Sequence, residues 1–438
     1  MSEGEISQEA STRDKTPRTA LLGFSIPAME ALDSMGRPFL AVVPPDFGPY
    51  MEEHEIPYEP WDFGRVNERS GDLARRLADR GVELSVPLFE ETVEWAGALN
   101  GQFRDDPRLF TRYLLFRDKA MMKRRAQMHG IRVGVFEEAD SKADVHRFLN
   151  RVNKALVKIE GDVNDPVHLK PLDAAGAMGH RMLKTADDVE TLGDSDFPCL
   201  LESHLDGQEF SCEVFIHNRK IRFMNINEYV HLGHSNFSPA GPKLQAWRPK
   251  IEETVNDLID AFDIEYGMIH PEFFITEEGK ISFGEVAARV PGGHIFELIQ
   301  NAYGFDPFAA FVLCADPKST DEELEAFFPK PDEHKTYSGC LMVYPKRKRV
   351  SRVEVPPKLL EDPYYDKHHL FVPVNPKVAE RVAFGDHYGT IYFAGDDAER
   401  MRKLLREYED EEFYLDEDST PTASADDGSG VAPEGKES

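Results

Sequence analysis

His270–Gly293, HPEFFITEEGKISFGEVAARVPGG, is the stretch that decides how the chain folds. Apolar and polar residues alternate on either side of Glu278-Gly279, a pair with turn chemistry, and the pattern predicts an antiparallel hairpin. With Glu278 and Gly279 as the two central residues, paired positions sum to a constant and Glu272 falls opposite Glu285. Directly opposed carboxylates lie about 4.5–5.5 Å apart and repel, so the arrangement makes sense mainly with a cation between them. Side chains alternate with period two, so Glu285, Ala287 and Arg289 share one face of the second strand. Pro291-Gly292-Gly293 then runs into an apolar helix start, IFELI, and a Gly-Gly turn at a helix N-terminus offers backbone N–H groups to an anion. Two glutamates alone would be read as a solvated polar sheet face; with these flanks the stretch reads as a metal and phosphate site.

Working outward, the chain of 438 residues exceeds what one core usually serves and predicts two or three subdomains. Acids outnumber bases by 80 to 51, for a net charge of −29, which argues against nucleic acid or an anionic membrane as partner, because binding either relies on Lys and Arg. Cys199, Cys212, Cys314 and Cys340 form no CxxC or Cys/His pattern, so neither a disulfide framework nor a zinc site is expected from them. The first residues carry no apolar signal-type core and no apolar run reaches membrane-spanning length, so a reducing cytoplasm is the expected home.

Residues 1–17 are polar and small and are expected to be disordered, as is the acidic tail 416–438. TALLGF and PFLAVVPP alternate with helix-length segments, the pattern of a parallel α/β unit over 18–115, with Gly23-Phe24-Ser25 as a candidate ligand turn, though such a turn more often only connects strand to helix. TRYLLFRDKAMMKRRAQMHG predicts one helix that contains Lys119 and stops at Gly130. In DPVHLKPLDAAGAMGH a short strand ends at Lys170-Pro171 and opens into a small-residue loop with Gly176 and Gly179, which would let backbone N–H groups approach phosphates. FPCLLESHLDGQEFSCEVFI reads as strand, break at Asp206-Gly207, strand, with Glu202 and Glu209 flanking the break. EYVHLGHSNFSPAGPKLQ, with His231 and His234, reads as an irregular substrate-facing loop. Ile251, Val255, Leu258, Ile259 and Phe262 form the stripe of a helix packed on a sheet. The part beyond an acidic linker near 317–335 reads as a small β-rich cap with one helix.

This order of parts resembles the ATP-grasp superfamily, and within it the L-amino-acid ligases and related carboxylate–amine ligases. The resemblance covers the chain from about Thr19 to Leu415. It implies a mixed α/β and α+β architecture: a Rossmann-like α/β domain over 18–115, a lid subdomain over 116–205, a large antiparallel-sheet nucleotide and metal subdomain over 206–330, and a β-rich C-terminal subdomain over 331–415. By the same resemblance Lys119 and Lys170 hold ATP phosphates, Glu202 and the backbone near Leu205 meet adenine, and Glu209 meets ribose. Glu272 and Glu285 bind Mg2+, with Mn2+ as a substitute, Arg289 steadies an acyl phosphate, and N–H groups near Gly292 and Gly293 stabilise an oxyanion. Ala287 stands where an asparagine often ligates a second magnesium, and Ala177 where serine is frequent. The implied reaction joins a small-molecule carboxylate to an amine at the expense of ATP. An ATP-grasp kinase and a nucleotide-binding protein without turnover are the alternatives, and a homodimer is an open expectation.

Overall fold

The computed structural model describes residues 16–160, 166–172, 178–378 and 387–416, with 155–160 as backbone alone. The expected disorder at both termini falls almost entirely outside these residues, as do Gly176 and Ala177.

Four short strands open the chain: β1 (Thr19–Leu22), β2 (Phe39–Val43), β3 (Tyr58–Pro60) and β4 (Leu84–Pro87), all parallel in the order β3-β2-β1-β4. Every residue of β1, β2 and β4 is buried, as expected of strands covered on both faces. Ser25 accepts from the Ala28 N–H and caps the helix Ile26–Ser34, so the Gly23-Phe24-Ser25 turn serves as a strand-to-helix connection, the commoner of its two readings.

The single helix expected through Lys119 is two, Arg108–Leu114 and Lys119–Met128. Asp118 breaks it: its extended backbone and a carboxylate accepting from the Met121 N–H at 2.8 Å start a new helix, which places Lys119 at the first position rather than inside. A second sheet follows, with β5 (Phe136–Ala139), β6 (Val167–Pro171), β7 (Arg181–Leu183) and β8 (Cys199–Ser203) antiparallel in the order β5-β8-β6-β7. Val145, Phe148 and Leu149 of the helix Lys142–Glu160 cover it.

The largest sheet contains β9 (Gln208–His217), β10 (Lys220–His231), β11 (Ser235–Ser238), β12 (Tyr266–Ile275), β13 (Ile281–Ala287), β14 (Tyr337–Val343), β16 (Tyr365–Leu370) and β17 (Gly389–Gly395), in the order β13-β12-β9-β10-β11-β14-β17-β16. A separate two-stranded pair joins β15 (Arg352–Val353) to β18 (Tyr414–Leu415). Two expectations change here. Tyr229–Ser238 is not an irregular loop but the end of β10, a tight turn and β11, and β11 pairs with β14 from far along the chain. Most of the strand content of residues 331–415 is not set apart: β14, β17 and β16 extend the same sheet, and among the described residues only the short β15–β18 pair stands separately.

One face of this sheet is apolar. Phe210, Cys212, Val214, Ile216, Ile269 and Phe273 pack against Ile251, Val255, Leu258, Ile259 and Phe262 of the helix Arg248–Phe262, the predicted stripe. On the other face the helices Ile295–Tyr303 and Pro307–Ala315 cover Phe215, Phe223 and Met268. Beyond them that face is polar and buried: Ser211, Glu213, Asn225, Asn227 and His270. A polar patch without water needs internal partners and marks where the chemistry sits.

Candidate active site

Glu272 pairs with Glu285 across β12 and β13, but by a different route from the one the alternation suggests. The turn spans Thr276 to Lys280, and pairing starts at Ile275 with Ile281. That register puts Phe283 on the apolar face, and simple alternation would send Glu285 after it. The register shifts between Glu272 and Phe273, with Gly284 as the extra residue on β13, so that Phe283 and Val286 both face the core and Glu285 faces the site. Glycine suits the bulge: a Cβ on Gly284 would lie 3.0 Å from the Glu272 carbonyl oxygen.

The bulge also frees the Gly284 carbonyl, and Lys123 donates to it. Lys123 stands one turn beyond Lys119 on the same helix face, is 1% exposed, and pairs with Oε1 of Glu202. Lys170 of β6 reaches Oε2 of Glu202 on β8 at 3.1 Å. Burial disfavours both ions, yet the two ammonium groups hold the Glu202 carboxyl below its usual range, while burial pushes Lys123 down. The Glu202 side chain therefore anchors two lysines. Lys119 Nζ lies 3.2 Å from Glu285 Oε2, and despite burial Lys119 and Lys170 hold Glu285 down to about 2.

Glu272 is steadied from the other side. Glu213, fully buried, accepts from Ser211 Oγ at 3.0 Å and Asn225 Nδ2 at 2.6 Å, and its carboxylate lies 3.0 Å from His270 Nδ1. His270 Nε2 lies 3.4 Å from Glu272 Oε1, to which the Tyr229 hydroxyl donates at 3.3 Å. Burial opposes the imidazolium, but Glu213 and Glu272 raise its pKa to about 9, so at neutral pH a cation bridges two carboxylates. Glu209, on the same face of β9, is pushed up to about 8 by burial and by Glu272. Arg289 Nε donates to Glu90 Oε2 at 2.7 Å, and Arg117 also pairs with Glu90, which brings the N-terminal part of the chain to the site.

The groups that Lys123, Glu213 and Glu90 hold in place line one cavity of about 550 Å3. Lys119, Lys170, Glu202, Leu205, Glu209, Glu272, Glu285, Arg289, Gly292 and Gly293 all face it, with Ala287 beside Glu285. Gly179, at φ +69 and packed on Pro171, is not among the lining residues, and Gly176 lies outside the described ones. Gly292 and Gly293 precede the helix Ile295–Tyr303, and Asn236 Nδ2 holds the Gly293 carbonyl at 3.0 Å. His168, with His180 and His204 at 2.9 and 3.0 Å from its two ring nitrogens, forms a further wall.

Sequence reasoning missed Lys123, Glu213, Tyr229 and Glu90, and assigned His270 no role. Lys123 has a visible signal, its four-residue spacing from Lys119, and His270 shares a strand face with Glu272. Glu213 and Glu90 carry no local signal, because their roles come from strands and segments distant in sequence.

The residues fit a divalent cation: two opposed carboxylates share a pocket with a third, Glu209, whose pKa is raised by burial and by Glu272.

A family model described as an ATP-grasp domain matches residues 177–297. An L-arginine-specific L-amino acid ligase of Bacillus subtilis is 23% identical over 258 residues, 55% of this chain and 60% of the relative. The match thus spans less than two thirds of that relative's length. An L-amino acid ligase from Bacillus licheniformis superposes with a TM-score of 0.70 at 17% identity over 92% of this chain and 99% of that one. N5-carboxyaminoimidazole synthetase from Staphylococcus aureus, complexed with ADP, does so at 0.63 and 16%, over 90% and 98%. At such identities the likeness is one of fold. Among the described residues no helix is long and apolar enough to cross a membrane. Residues 177–297 thus match an ATP-grasp domain, and the chain as a whole shares the fold of these solved ligase and synthetase structures.

Proposed function

We propose that the chain is an ATP-dependent carboxylate–amine ligase that activates a carboxylate, first among candidates an amino acid, as an acyl phosphate and joins it to an amine, releasing ADP and phosphate. The observation that carries this reading is the convergence of Glu272, Glu285, Lys119, Lys170 and Arg289 on one cavity. A binding protein has no need of opposed carboxylates beside an arginine. The two relatives named as L-amino acid ligases support amino acids as the first substrates to try.

In this reading Lys119 and Lys170 hold and neutralise the nucleotide phosphates. Glu272 and Glu285 would hold Mg2+, which when bound supplies charge neutralisation at the β- and γ-phosphates. A substrate carboxylate oxygen attacks the γ-phosphorus as the bond to ADP breaks, and Arg289 steadies the resulting acyl phosphate. The amine nitrogen then attacks the acyl carbon, phosphate leaves with the bonding electrons, and the amine proton is lost. Gly292 and Gly293 line the cavity, and in this reading their N–H groups would stabilise the oxyanion; losing one such donor typically costs about 2.7–4 kcal/mol. The cysteines take no part: all four are free and buried, and burial pushes the Cys199 thiol up to about 12. Four buried thiols without a bridge also support a reducing cytoplasm.

The test is ADP release from Mg·ATP with pairs of amino acids, with mass spectrometry of the products. A new amide supports the ligase. ADP with a phosphorylated product and no amide identifies a kinase, and nucleotide binding without ADP release under any pair removes turnover.

A further inference from the structure

The turn between β10 and β11 carries a second set of metal-type donors that the ligase chemistry does not use. His231 ends β10 and pairs with Ser235, which closes the turn Leu232-Gly233-His234. The backbone there is held at several points: the His234 N–H donates to the His231 carbonyl at 2.9 Å, the Met342 N–H to the His234 carbonyl at 2.7 Å, and the Tyr344 hydroxyl to the Gly233 carbonyl at 2.9 Å. The two imidazoles stack with centroids 4.4 Å apart and planes 17° apart. Nδ1 of His231 contacts the Glu409 carboxylate, and Nδ1 of His234 lies 4.0 Å from the same oxygen. One donor atom from each of the three residues lies within 4.8 Å of the others.

We propose that His231, His234 and Glu409 form a site for a divalent transition-metal ion of the Zn2+ class, tying the rim of the cavity to the helix Ala398–Glu409. Two imidazole nitrogens and one carboxylate oxygen suit Zn2+, Co2+ or Ni2+, whereas Mg2+ prefers an all-oxygen set such as the Glu272–Glu285 pair. Glu409 is the last residue of its helix, where the negative end of the macrodipole disfavours a carboxylate, and its side chain is only 17% exposed. A charge held there calls for a cation. The His231 side chain is 56% exposed, which leaves an open side for water ligands. Two donors sit on a pinned turn and the third on a helix, so binding requires only small side-chain movements. Leu232 and Gly233, between the two histidines, line the cavity, so an ion here stiffens that rim.

The full chain, stripped with a chelator, is titrated with Zn2+ by calorimetry and with Co2+ by visible absorption, in excess Mg2+ and without nucleotide. The expected result is one Zn2+ per chain that Mg2+ does not displace, with Co2+ d–d bands of nitrogen–oxygen coordination. His231→Ala, His234→Ala and Glu409→Gln should each weaken binding about tenfold or more, while the exposed His129→Ala leaves it unchanged. Melting curves of each variant show whether it is folded, and the wild-type stoichiometry stands independently of them. No stoichiometric site in the wild type, or a site that survives His231→Ala with His234→Ala in a folded chain, reduces the cluster to a histidine–carboxylate ion pair and overturns the proposal.

Discussion

Lys123→Met removes one buried ammonium while keeping the length and apolar stem of the side chain. Lys123 is 1% exposed, pairs with a Glu202 that is equally buried, and donates to the Gly284 carbonyl released by the bulge. Removing one partner of a buried ion pair costs about 3–5 kcal/mol, because the other charge stays behind. An orphaned buried carbonyl costs about 1–3 kcal/mol. Both losses come from the same ammonium and do not simply add, and Lys170 still reaches Glu202, so about 4 kcal/mol is expected. A domain has about 5–15 kcal/mol of stability in all, so the transition should move far. Guanidinium melts read the loss as a shift in midpoint at constant slope. Burial already lowers the Lys123 pKa, so the pair is held against a desolvation cost, and Lys123→Met with Glu202→Gln should recover at least half of the single-variant loss. A Lys123→Met loss below about 1 kcal/mol, as for an exposed pair, refutes the reasoning. So does a double variant that loses the sum of the two singles.

Glu285→Gln should abolish ADP release in a chain that still folds, since it weakens a ligand without changing shape; full activity removes the metal assignment. Gly284→Ala brings a Cβ to 3.0 Å from the Glu272 carbonyl and 3.3 Å from the Phe274 ring, so it should cost about 1–3 kcal/mol and weaken stabilisation by Mg·ATP; wild-type values for both would remove the bulge as the device that aims Glu285. His168 is pushed from 6.5 down to about 4 by burial, by His180 and by Lys170. The unfolded chain takes up a proton that the folded one refuses between those values, so stability is full above pH 6.5 and falls as pH drops through that window, by at most about 3 kcal/mol before screening by solvent. His168→Gln should flatten that slope, and an NMR titration with His168 protonating near 6.5 contradicts it.

What the residues reveal by themselves follows how local each signal is. The parallel strands are legible because both of their faces are buried, and the helix Arg248–Phe262 because its stripe repeats at helical spacing. Glu272 opposite Glu285 is legible only through a compensation: the turn is one residue out of step and the Gly284 bulge restores the pairing. Tyr229–Ser238 hides its strands because glycine, serine and histidine imitate a loop, and the partner that makes a strand of it, β14, is remote. The break at Asp118 has a local signal, an aspartate before a helical run, which the apolar spacing on either side obscures. No periodicity announces that β14, β16 and β17 join the site's own sheet, because sheet order is a property of the whole fold.

The charges explain why the cavity can hold so many ions together. Each cation that would meet the nucleotide already rests on a carboxylate: Lys119 on Glu285, Lys170 on Glu202, Arg289 on Glu90. A metal–nucleotide complex would exchange these partners: Lys119 would trade Glu285 for a phosphate, and Glu285 would trade Lys119 for the metal. Each charge would have a partner before and after the exchange, which would avoid the penalty of an uncompensated buried ion in either state. Glu202 is the exception, since its second lysine, Lys123, is sealed from the cavity and has nothing to exchange with. That pair sets the geometry, holding Lys170 in place from one side and the bulge under Glu285 from the other. Lys119 and Lys170 could then change partners without the frame that aims them moving.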